Sequence, residues 1–267
     1  MSPAYPASTH STRTIAVITG ASSGIGEVFA RKLAPRHDLI LVARRKERLD
    51  AIAAEISRAH GARVEVLAAD LAEERGLSEV AGRIAAEPKL ELLINNAGFG
   101  VRQLFWQSDL ETQERMHRLH VMATVRLCHA ALGNLVPKNR GGVINVASVA
   151  AFARSAGSSG YCATKSWMTA FTEGLYLELR AVKSAVVVQA LCPGFTYSEF
   201  HDTMKVSRYD MAPRSFWLPA EKVVDAGLDG LRRGRLFVVP GWRYRVIAAV
   251  VTRLPVWARL GLESMRS

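Results

Sequence analysis

The amino-acid sequence predicts an α/β fold in a single domain, with a doubly wound, mostly parallel sheet of about seven strands and helices on both faces. Size and composition are the first reason: 267 residues, 49% hydrophobic and 22% charged, suffice for one large globular core. The second reason is the alternation of short apolar runs with segments of helical periodicity. No shift in composition marks a second domain. Right-handed crossovers within one sheet follow from this alternation.

Short runs rich in Val and Ile are the predicted strands. They are Ile15–Ile18, Leu39–Val42, Val64–Leu67, Leu92–Ile94, Val143–Val146, Val186–Leu191 and Leu236–Val239. The segments between them carry apolar residues at helical spacing, and several are bounded by Gly or Pro. They are Ile25–Leu33, Lys46–His60, Leu77–Ala86, Leu110–Leu135 and Tyr161–Ala181. A sheet of this kind binds ligands beyond the carboxyl ends of its strands.

The remaining segments have other compositions. Residues 1–12 are rich in Ser, Thr, Pro and Ala and are predicted to be a flexible tail rather than a signal peptide. Residues 13–241 form the predicted domain, and its irregular stretch at about residues 195–219 is long enough to predict a substrate lid. No uninterrupted apolar run approaches the roughly 20 residues of a membrane-spanning helix.

The net charge of +11 is concentrated toward the C-terminal end, where Arg232 to Ser267 holds eight arginines against the single acid Glu263. In the extension, residues 242–267, arginines alternate with apolar residues, which predicts a basic amphipathic helix broken near Pro255. Such a helix can lie in an anionic membrane interface, and it can equally cover the ligand pocket or a neighbouring subunit. Nucleic-acid binding is disfavoured, because no recognition module accompanies the arginines.

The three cysteines, Cys128, Cys162 and Cys192, are widely spaced in apolar surroundings. This spacing predicts buried free thiols rather than disulfides or a metal site. A reducing compartment, the cytoplasm, is the expected location.

A glycine-rich turn, Thr19-Gly20-Ala21-Ser22-Ser23-Gly24-Ile25-Gly26, lies between the first predicted strand and the first helix. Gly20 allows a tight turn, Gly24 lets the backbone approach a pyrophosphate, and Gly26 lets the helix pack closely. The N-terminus of the helix supplies N–H donors and positive potential. Although the spacing is GxxxGxG rather than GxGxxG, its position predicts a dinucleotide-binding Rossmann fold.

The second predicted strand ends at Arg44 and Arg45, where an NAD-specific site would place Asp or Glu. Two guanidinium groups can bind a 2′-phosphate, which favours NADP(H) over NAD(H). The alternative is that they are only the solvated start of the next helix. Asp70, after the third strand, is placed to accept a hydrogen bond from the adenine amino group or to cap the following helix.

Tyr161 and Lys165 are four residues apart on a predicted helix, so both side chains lie on one face. A lysine ammonium near a phenol favours the phenolate, which would bring the tyrosine pKa toward the range of proton exchange with a substrate oxygen. Ser148, just past a predicted strand, adds a hydroxyl for the same oxygen. The three groups predict a site that acts on a carbonyl or alcohol.

Taken together, Thr19–Gly26, Asn95–Gly98, Ser148, Tyr161–Lys165 and Pro193–Gly194 closely resemble the classical short-chain dehydrogenase/reductase family, over about residues 13–241. The resemblance implies that Tyr161 is the acid/base and that Ser148 orients the carbonyl. It also implies that Lys165 holds the nicotinamide ribose and lowers the Tyr161 pKa.

By the same resemblance, Asn95–Gly98 closes the fourth strand and borders the cofactor, and the Pro193–Thr196 backbone with Ser198 contacts the nicotinamide. The expected cofactor-binding residues are Gly20, Ser22, Ser23, Gly24, Ile25, Gly26, Arg44, Arg45, Asp70, Asn96, Ala97, Gly98, Tyr161, Lys165, Pro193, Gly194 and Thr196. The resemblance implies a homodimer or homotetramer. The helices Leu110–Leu135 and Tyr161–Ala181, apolar around much of their circumference, agree with burial against a partner subunit.

One position departs from the family pattern: His120 stands where the family commonly has an Asn that steadies a water in the proton relay to the lysine. Three roles are open for His120. Its main chain can preserve the family's contact, its imidazole can shuttle protons as a further catalytic residue, or the ring can simply pack in the helix.

Apolar residues dominate the expected pocket, which suits a hydrophobic ketone or alcohol better than a sugar or an acidic metabolite. They are Phe99, Phe105, Trp106, Phe152, Phe195, Phe200, Met204, Phe216 and Trp217.

The predicted function is therefore an NADP(H)-dependent oxidoreductase that transfers hydride between nicotinamide and a hydrophobic ketone or secondary alcohol. One alternative is a 3-ketoacyl-thioester reductase of lipid metabolism, whose acidic carrier-protein partner would suit the basic surface. A non-catalytic NADP-binding regulator is another, which the intact Ser148, Tyr161 and Lys165 disfavour.

Overall fold

The structure, a computed structural model, describes residues 13–199 and 212–264. Within them, seven strands form one sheet in which every neighbouring pair is parallel, in the order β3-β2-β1-β4-β5-β6-β7. The strands are β1 (Thr14–Thr19), β2 (His37–Ala43), β3 (Val64–Ala68), β4 (Leu90–Asn95), β5 (Gly142–Val146), β6 (Val187–Leu191) and β7 (Phe237–Val238). The predicted doubly wound α/β fold is confirmed.

Helices connect the strands and cover both faces of the sheet. They are α1 (Gly24–Leu33), α2 (Lys46–His60), α3 (Glu74–Ala85), α4 (Leu110–His117), α5 (Ala123–Lys138), α6 (Ser159–Ala181), α7 (Ala220–Arg232), α8 (Trp242–Arg253) and α9 (Val256–Ser264). A π-helical turn, Arg118–Met122, joins α4 to α5. Short 3₁₀ turns lie at Phe105–Gln107, Val149–Ala151 and Arg214–Phe216.

Alternating side chains of the buried strands build two cores, one on each face of the sheet. In β1, Ala16 and Ile18 pack with α1, α2 and α7, while Val17 packs with α3, α5 and α6. Because both faces are covered, the strands are mainly apolar, as the sequence indicated. The two layers fix the carboxyl ends of β1, β4, β5 and β6 at one edge of the sheet, where the site lies.

Helix α7 was not predicted from the sequence. Two glycines lower the helix propensity of this segment, yet both face the core. A Cβ on Gly227 would lie 3.0 Å from Leu191 Cδ2, and one on Gly230 would overlap the side chain of Val238. The glycines thus bring α7 close to β6 and β7, a tertiary reason that periodicity does not reveal.

The sequence predicted no segment long and apolar enough to span a membrane, and the continuous helix Leu110–Lys138 corrects this expectation. Among the described residues, it is the one helix long and apolar enough to cross a membrane by length and composition. In this fold it is a core helix, because Leu127, Ala131 and Leu135 of α5 are buried against the sheet and α3. Core helices meet the same two criteria, so its composition carries no membrane assignment.

The predicted lid lies only partly within the described residues, since residues 200–211 fall outside them. Its two described ends meet in a parallel bridge between Thr196 and Leu218. The lid role itself remains a prediction. The predicted N-terminal tail, residues 1–12, also lies outside the described residues.

All three cysteines are buried free thiols, as predicted. Burial raises the pKa of both the Cys128 and the Cys192 thiol to about 12. Cys128 lies beside a buried amide pair in which Asn95 Nδ2 donates to Asn145 Oδ1 at 2.9 Å. The thiols therefore stay protonated and belong to the packing of the core.

Candidate active site

The glycine-rich turn between β1 and α1 is a close-packed phosphate cradle. Gly20 and Gly24 have positive φ angles of 66° and 57°, which only glycine adopts readily. A Cβ on Gly20 would lie 2.8 Å from Asn96 Nδ2, and one on Gly26 would overlap the carbonyl oxygen of Gly20. The turn therefore leaves its backbone open at the N-terminus of α1, as a dinucleotide site requires.

Asn96 fastens the end of β4 to this turn. Its Nδ2 donates to the carbonyl oxygen of Thr19 at 3.0 Å. In return, Thr19 Oγ1 accepts the N–H groups of Asn96 at 2.9 Å and of Ala97 at 3.0 Å. The Asn-Asn-Ala-Gly segment thus fixes the border of the cofactor groove, where the sequence analysis placed it.

Ser148, Tyr161 and Lys165 converge beyond β5, at the predicted position. The Tyr161 and Ser148 hydroxyls are hydrogen-bonded, and Lys165 Nζ lies 5.8 Å from the centre of the Tyr161 ring. Lys165 is 4% exposed and donates to the carbonyl oxygen of Val146 at 2.8 Å. Ser148 Oγ accepts the N–H of Ala150 at 3.1 Å, which fixes the hydroxyl at the start of a 3₁₀ turn.

Burial governs the protonation of Tyr161 and Lys165. It raises the pKa of the Tyr161 phenol to about 12, with the Ser148 hydrogen bond opposing the rise. It lowers the pKa of the Lys165 ammonium to about 8. Burial is the largest cause of both shifts, so they do not show the expected lowering of the Tyr161 pKa by Lys165, which stays a prediction.

His120 lies in the π-helical turn and is fully buried. Its Nε2 accepts the N–H of Phe99 at 3.2 Å, so Nδ1 carries the proton and donates to Thr164 Oγ1 at 2.9 Å. Thr164 Oγ1 in turn donates to the carbonyl oxygen of Tyr161 at 2.9 Å. Burial, reinforced by the Lys165 charge, holds the pKa of His120 well below its usual value.

A neutral ring with both nitrogens engaged favours packing over proton shuttling among the roles open to His120. Its close approach also explains Gly98, where a Cβ would lie 2.7 Å from His120 Nε2. The ring stands edge-on to Tyr161, with the ring centres 5.9 Å apart. His120 thereby supports the helix turn that carries Tyr161.

A cluster of cations lies at the adenosine end of the groove. Arg45 donates to Ser22 Oγ at 3.0 Å and to Ser23 Oγ at 2.9 Å, so its guanidinium lies against the glycine-rich turn. It also donates to Glu199 Oε2 at 2.7 Å, and Arg48 binds the other carboxylate oxygen. These two arginines hold the pKa of Glu199 at about 2.

Asp70 lines the same end and is already paired. Its carboxylate binds Arg115 and lies 3.9 Å from Arg44, whose side chain is largely exposed. Its other oxygen accepts the N–H of Ala72 at 3.0 Å. The capping alternative is wrong, because α3 begins later and its N-cap residue is Glu73.

The segment after β6 forms the opposite side of the groove. Thr196 is buried, and its hydroxyl donates to the carbonyl oxygen of Gly194 at 3.0 Å. Ser198 lies in front of the glycine-rich turn, since a Cβ on Gly24 would lie 2.8 Å from Ser198 Cβ. The Pro193–Thr196 backbone therefore faces the same cavity as Ser148, Tyr161 and Lys165, and its predicted contact with the nicotinamide stays a prediction.

A cavity of about 1400 Å³ joins the cradle, the cation cluster and the triad. Three of the predicted pocket aromatics line it, namely Phe99, Phe195 and Phe216. The other apolar walls include Val101, Ala153 and Ile247. The residues that line it fit a nicotinamide dinucleotide, because they supply an open glycine cradle, arginines that can bind phosphate, and the Tyr161 hydroxyl beyond β5.

The other predicted pocket residues lie elsewhere. Phe105 and Trp106 are 55% and 78% exposed, Phe152 packs in a small core beside β6, and Trp217 is buried without lining the cavity. Phe200 and Met204 lie outside the described residues. Local apolar character alone could not distinguish these positions from true cavity walls.

Four site residues were missed by the sequence analysis: Arg48, Arg115, Glu199 and Tyr244. Each acts through a partner distant in the chain, and Arg48 and Glu199 are 151 residues apart. Tyr244, in the extension, lines the cavity beside Gly194. No spacing rule links such pairs, so a single sequence carries no signal for them.

Comparison with known proteins agrees with this geometry. The family model described as short chain dehydrogenase matches residues 14–207. The chain belongs to the short-chain dehydrogenase family. It is therefore an oxidoreductase that uses a nicotinamide cofactor on alcohol or carbonyl groups.

Proteins of known structure or activity are similar to most of the chain. A short-chain dehydrogenase from Sphingobium yanoikuyae in complex with NADPH is 37% identical, with a TM-score of 0.81 and coverage of 94% of this chain and 95% of that one. The bulky-bulky ketone specific alcohol dehydrogenase from Comamonas testosteroni is 32% identical, with a TM-score of 0.77 and coverage of 94% of each chain. The very-long-chain 3-oxoacyl-CoA reductase of Anas platyrhynchos is 25% identical over 238 residues, which are 87% of this chain and 75% of that protein.

Proposed function

We propose that this short-chain dehydrogenase is an NADP(H)-preferring reductase of hydrophobic ketones, with Tyr161 as the acid. One observation carries the proposal: Ser148, Tyr161 and Lys165 face the cavity that begins at the glycine cradle. The order of these groups along the cavity puts the acid at the end opposite the cation cluster. A ketone held there has its oxygen beside two hydroxyl groups.

The protonation states support reduction. Tyr161, with a pKa of about 12, is protonated at neutral pH and donates its proton to the forming alkoxide. Ser148 holds the same oxygen as charge develops on it. Lys165, with a pKa of about 8, is mostly charged at pH 7 and stabilises the phenolate that remains. The nicotinamide supplies the hydride.

The cation cluster supports NADP(H) as the preferred cofactor. Arg45 is held against Ser22 and Ser23, and Arg44 and Arg48 flank it. Guanidinium groups bind phosphate as paired donors, whereas a ribose hydroxyl gains little from them. The Sphingobium relative was solved with NADPH, which agrees with this preference. A relative from Burkholderia phymatum was solved with NAD, so the choice rests on the arginines of this chain.

A hydrophobic ketone as substrate is supported by the apolar residues that line the cavity, among them Phe99, Val101 and Phe195. The Comamonas relative, described as bulky-bulky ketone specific, supports the same class. A second candidate, a 3-ketoacyl thioester, is favoured by the similarity to a very-long-chain 3-oxoacyl-CoA reductase and by the basic surface. Comparing turnover of free ketones and ketoacyl thioesters distinguishes the two.

The first test measures NADPH and NADH oxidation at about 340 nm with a panel of hydrophobic ketones and ketoacyl thioesters. Tyr161→Phe is expected to lower kcat by about 10²- to 10⁴-fold, the usual contribution of a general acid, with the Kd for NADPH nearly unchanged. Tyr176→Phe, whose hydroxyl accepts from Arg180 at the surface, is the matched control. Retained turnover in Tyr161→Phe would refute the assignment. NADPH binding without turnover of any compound would favour the regulator alternative.

We further propose that the enzyme is a cytoplasmic homo-oligomer with a peripheral membrane contact through its C-terminal helices. The outer faces of α5 and α6 support oligomerisation: Gly133 and Gly174 have open space where a Cβ would lie, and Leu177 is 61% exposed. The outward stripe of α8, Trp242, Val246 and Val250, supports membrane contact, because these side chains are at least half exposed.

A further inference from the structure

Tyr244 joins the C-terminal extension to the cofactor side of the cavity. It is 5% exposed, although its helix, α8, is mostly at the surface. Its hydroxyl accepts the N–H of Phe195 at 3.0 Å and donates to the carbonyl oxygen of Phe216 at 2.7 Å. One phenol therefore ties the segment that follows β6 to the 3₁₀ turn Arg214–Phe216.

The Tyr244 ring explains a neighbouring glycine. A Cβ on Gly194 would overlap the ring. Gly194 shows no positive φ angle, so contact with the ring, rather than backbone strain, requires glycine at this position. Gly194 and Tyr244 form a matched pair in which the backbone after β6 lies directly on the ring face.

Further contacts hold α8 in place. Arg243 Nη1 donates to the carbonyl oxygen of Ser215 at 2.6 Å, and its guanidinium lies 5.8 Å from the centre of the Phe216 ring. The Tyr244 and Phe216 rings meet edge-on at 5.9 Å. The first turn of α8 is thus fixed to the 3₁₀ turn Arg214–Phe216, and its orientation does not depend on Tyr244 alone.

We propose that Tyr244 is a positioning residue that holds the Pro193–Thr196 backbone in place for the nicotinamide half of the cofactor. The C-terminal extension, which lies beyond the residues matched by the family model, then completes the site. The inference rests on the proposed function, since it assumes that this backbone contacts the nicotinamide. The glycine cradle and the cation cluster, which would bind the adenosine half, have no hydrogen bond to Tyr244 among the described residues.

The test separates the two halves of the cofactor. In the full-length protein, Tyr244→Phe keeps the ring and removes the hydroxyl. The Kd for NADPH is expected to rise about three- to tenfold, as for loss of a hydrogen bond that orders a loop, while the Kd for 2′,5′-ADP stays within about twofold of wild type. Fluorescence titration gives both values. If the wild-type protein binds NADH more tightly than NADPH, the same test uses NADH instead of NADPH and 5′-AMP instead of 2′,5′-ADP.

Tyr176→Phe is the matched control and should change neither Kd. Equal weakening of both ligands, or no weakening of either, would overturn the inference. Should Tyr244→Phe fail to fold, Gly194→Ala displaces the ring and keeps the hydroxyl, and the same selective loss is expected from it. Wild-type protein that binds no dinucleotide would refute the proposed function. Wild-type protein that binds NADPH, with Kd values that neither variant changes, would refute the role of Tyr244 only.

Discussion

Arg45 shows how a single side chain can prepare a phosphate site. Its hydrogen bonds to Ser22 and Ser23 fix the guanidinium beside the glycine cradle, and its Nη1 donates to Glu199. Glu199 thus provides carboxylate oxygens where a 2′-phosphate would provide phosphate oxygens. Because its pKa is about 2, this carboxylate is charged at every working pH. If Arg45 binds the 2′-phosphate as proposed, that phosphate would compete with Glu199 for the same donors.

This competition gives a prediction for Glu199→Gln. The variant removes the competing negative charge and leaves a neutral amide, so NADPH should bind about two- to tenfold more tightly, while the Kd for NADH should be unchanged. Titration of both cofactors measures the effect. Glu47→Gln, an exposed position on α2, is the control. Weaker NADPH binding in Glu199→Gln would mean instead that the carboxylate holds Arg45 and Arg48 in place for the cofactor.

The residues of the site differ in how far the sequence could reveal them. The glycine cradle, Ser148, Tyr161 and Lys165 are recognisable because each lies at a fixed place relative to a strand or helix. Glu199 and Tyr244 are not, because their partners are 154 and 49 residues away. The raised pKa of Tyr161 could not be predicted either, because burial rather than sequence spacing sets the direction of that shift.

Among the elements, the π-helical turn Arg118–Met122 has the clearest effect on the site. It places His120 inward between Phe99 and Thr164. Burial lowers the pKa of His120, and it also lowers the pKa of His37 on β2. As the pH falls below 6.5, the usual value for histidine, the unfolded chain takes up protons that these two buried rings do not. The stability that these two rings contribute is therefore complete above pH 6.5 and is lost as the pH falls further.

His120→Asn is expected to reduce this pH dependence. Each buried neutral histidine contributes at most about 1.4 kcal/mol of unfolding free energy per pH unit in this window. Thermal unfolding near neutral pH and about two units lower should therefore show a smaller loss of Tm in His120→Asn than in wild type. His129→Asn, at an exposed position on α5, should keep the wild-type loss. An unchanged loss in His120→Asn would show that its ring takes up a proton inside the fold.

At the level of elements, strands were easier to predict than helices. The apolar runs matched every strand of the sheet to within a few residues. The helix α2 was predicted with its observed bounds, because Gly61 ends it in the left-handed conformation. Helix α7 was missed, since the glycines that bring it onto β6 and β7 also weaken its helical signal. Close packing and helix propensity oppose each other there.

For the whole molecule, the main asymmetry lies in the C-terminal extension. The inner face of α8 places Tyr244 and Ile247 at the cavity, while its outer face carries Trp242, Val246 and Val250 at four-residue intervals. The sequence left open whether the extension covers the pocket or meets a membrane. The inner face of α8 covers the pocket. The outer face is therefore available for the proposed membrane contact. A membrane contact here would bring the cavity close to apolar molecules dissolved in lipid.

The membrane proposal predicts binding to vesicles with about one third phosphatidylserine, and much weaker binding to pure phosphatidylcholine. The basic helices supply the attraction, since each arginine near an anionic surface contributes about 1 kcal/mol, and rising salt should weaken it. Trp242→Ser with Trp257→Ser removes two exposed side chains of α8 and α9, at 63% and 77% exposure, and should lower vesicle binding severalfold. Trp106→Ser, 78% exposed and outside the extension, is the matched control. The opposite outcome is that the wild-type protein does not bind anionic vesicles and that the double variant forms a smaller oligomer in light scattering. A second subunit rather than a membrane would then cover the outer face of α8.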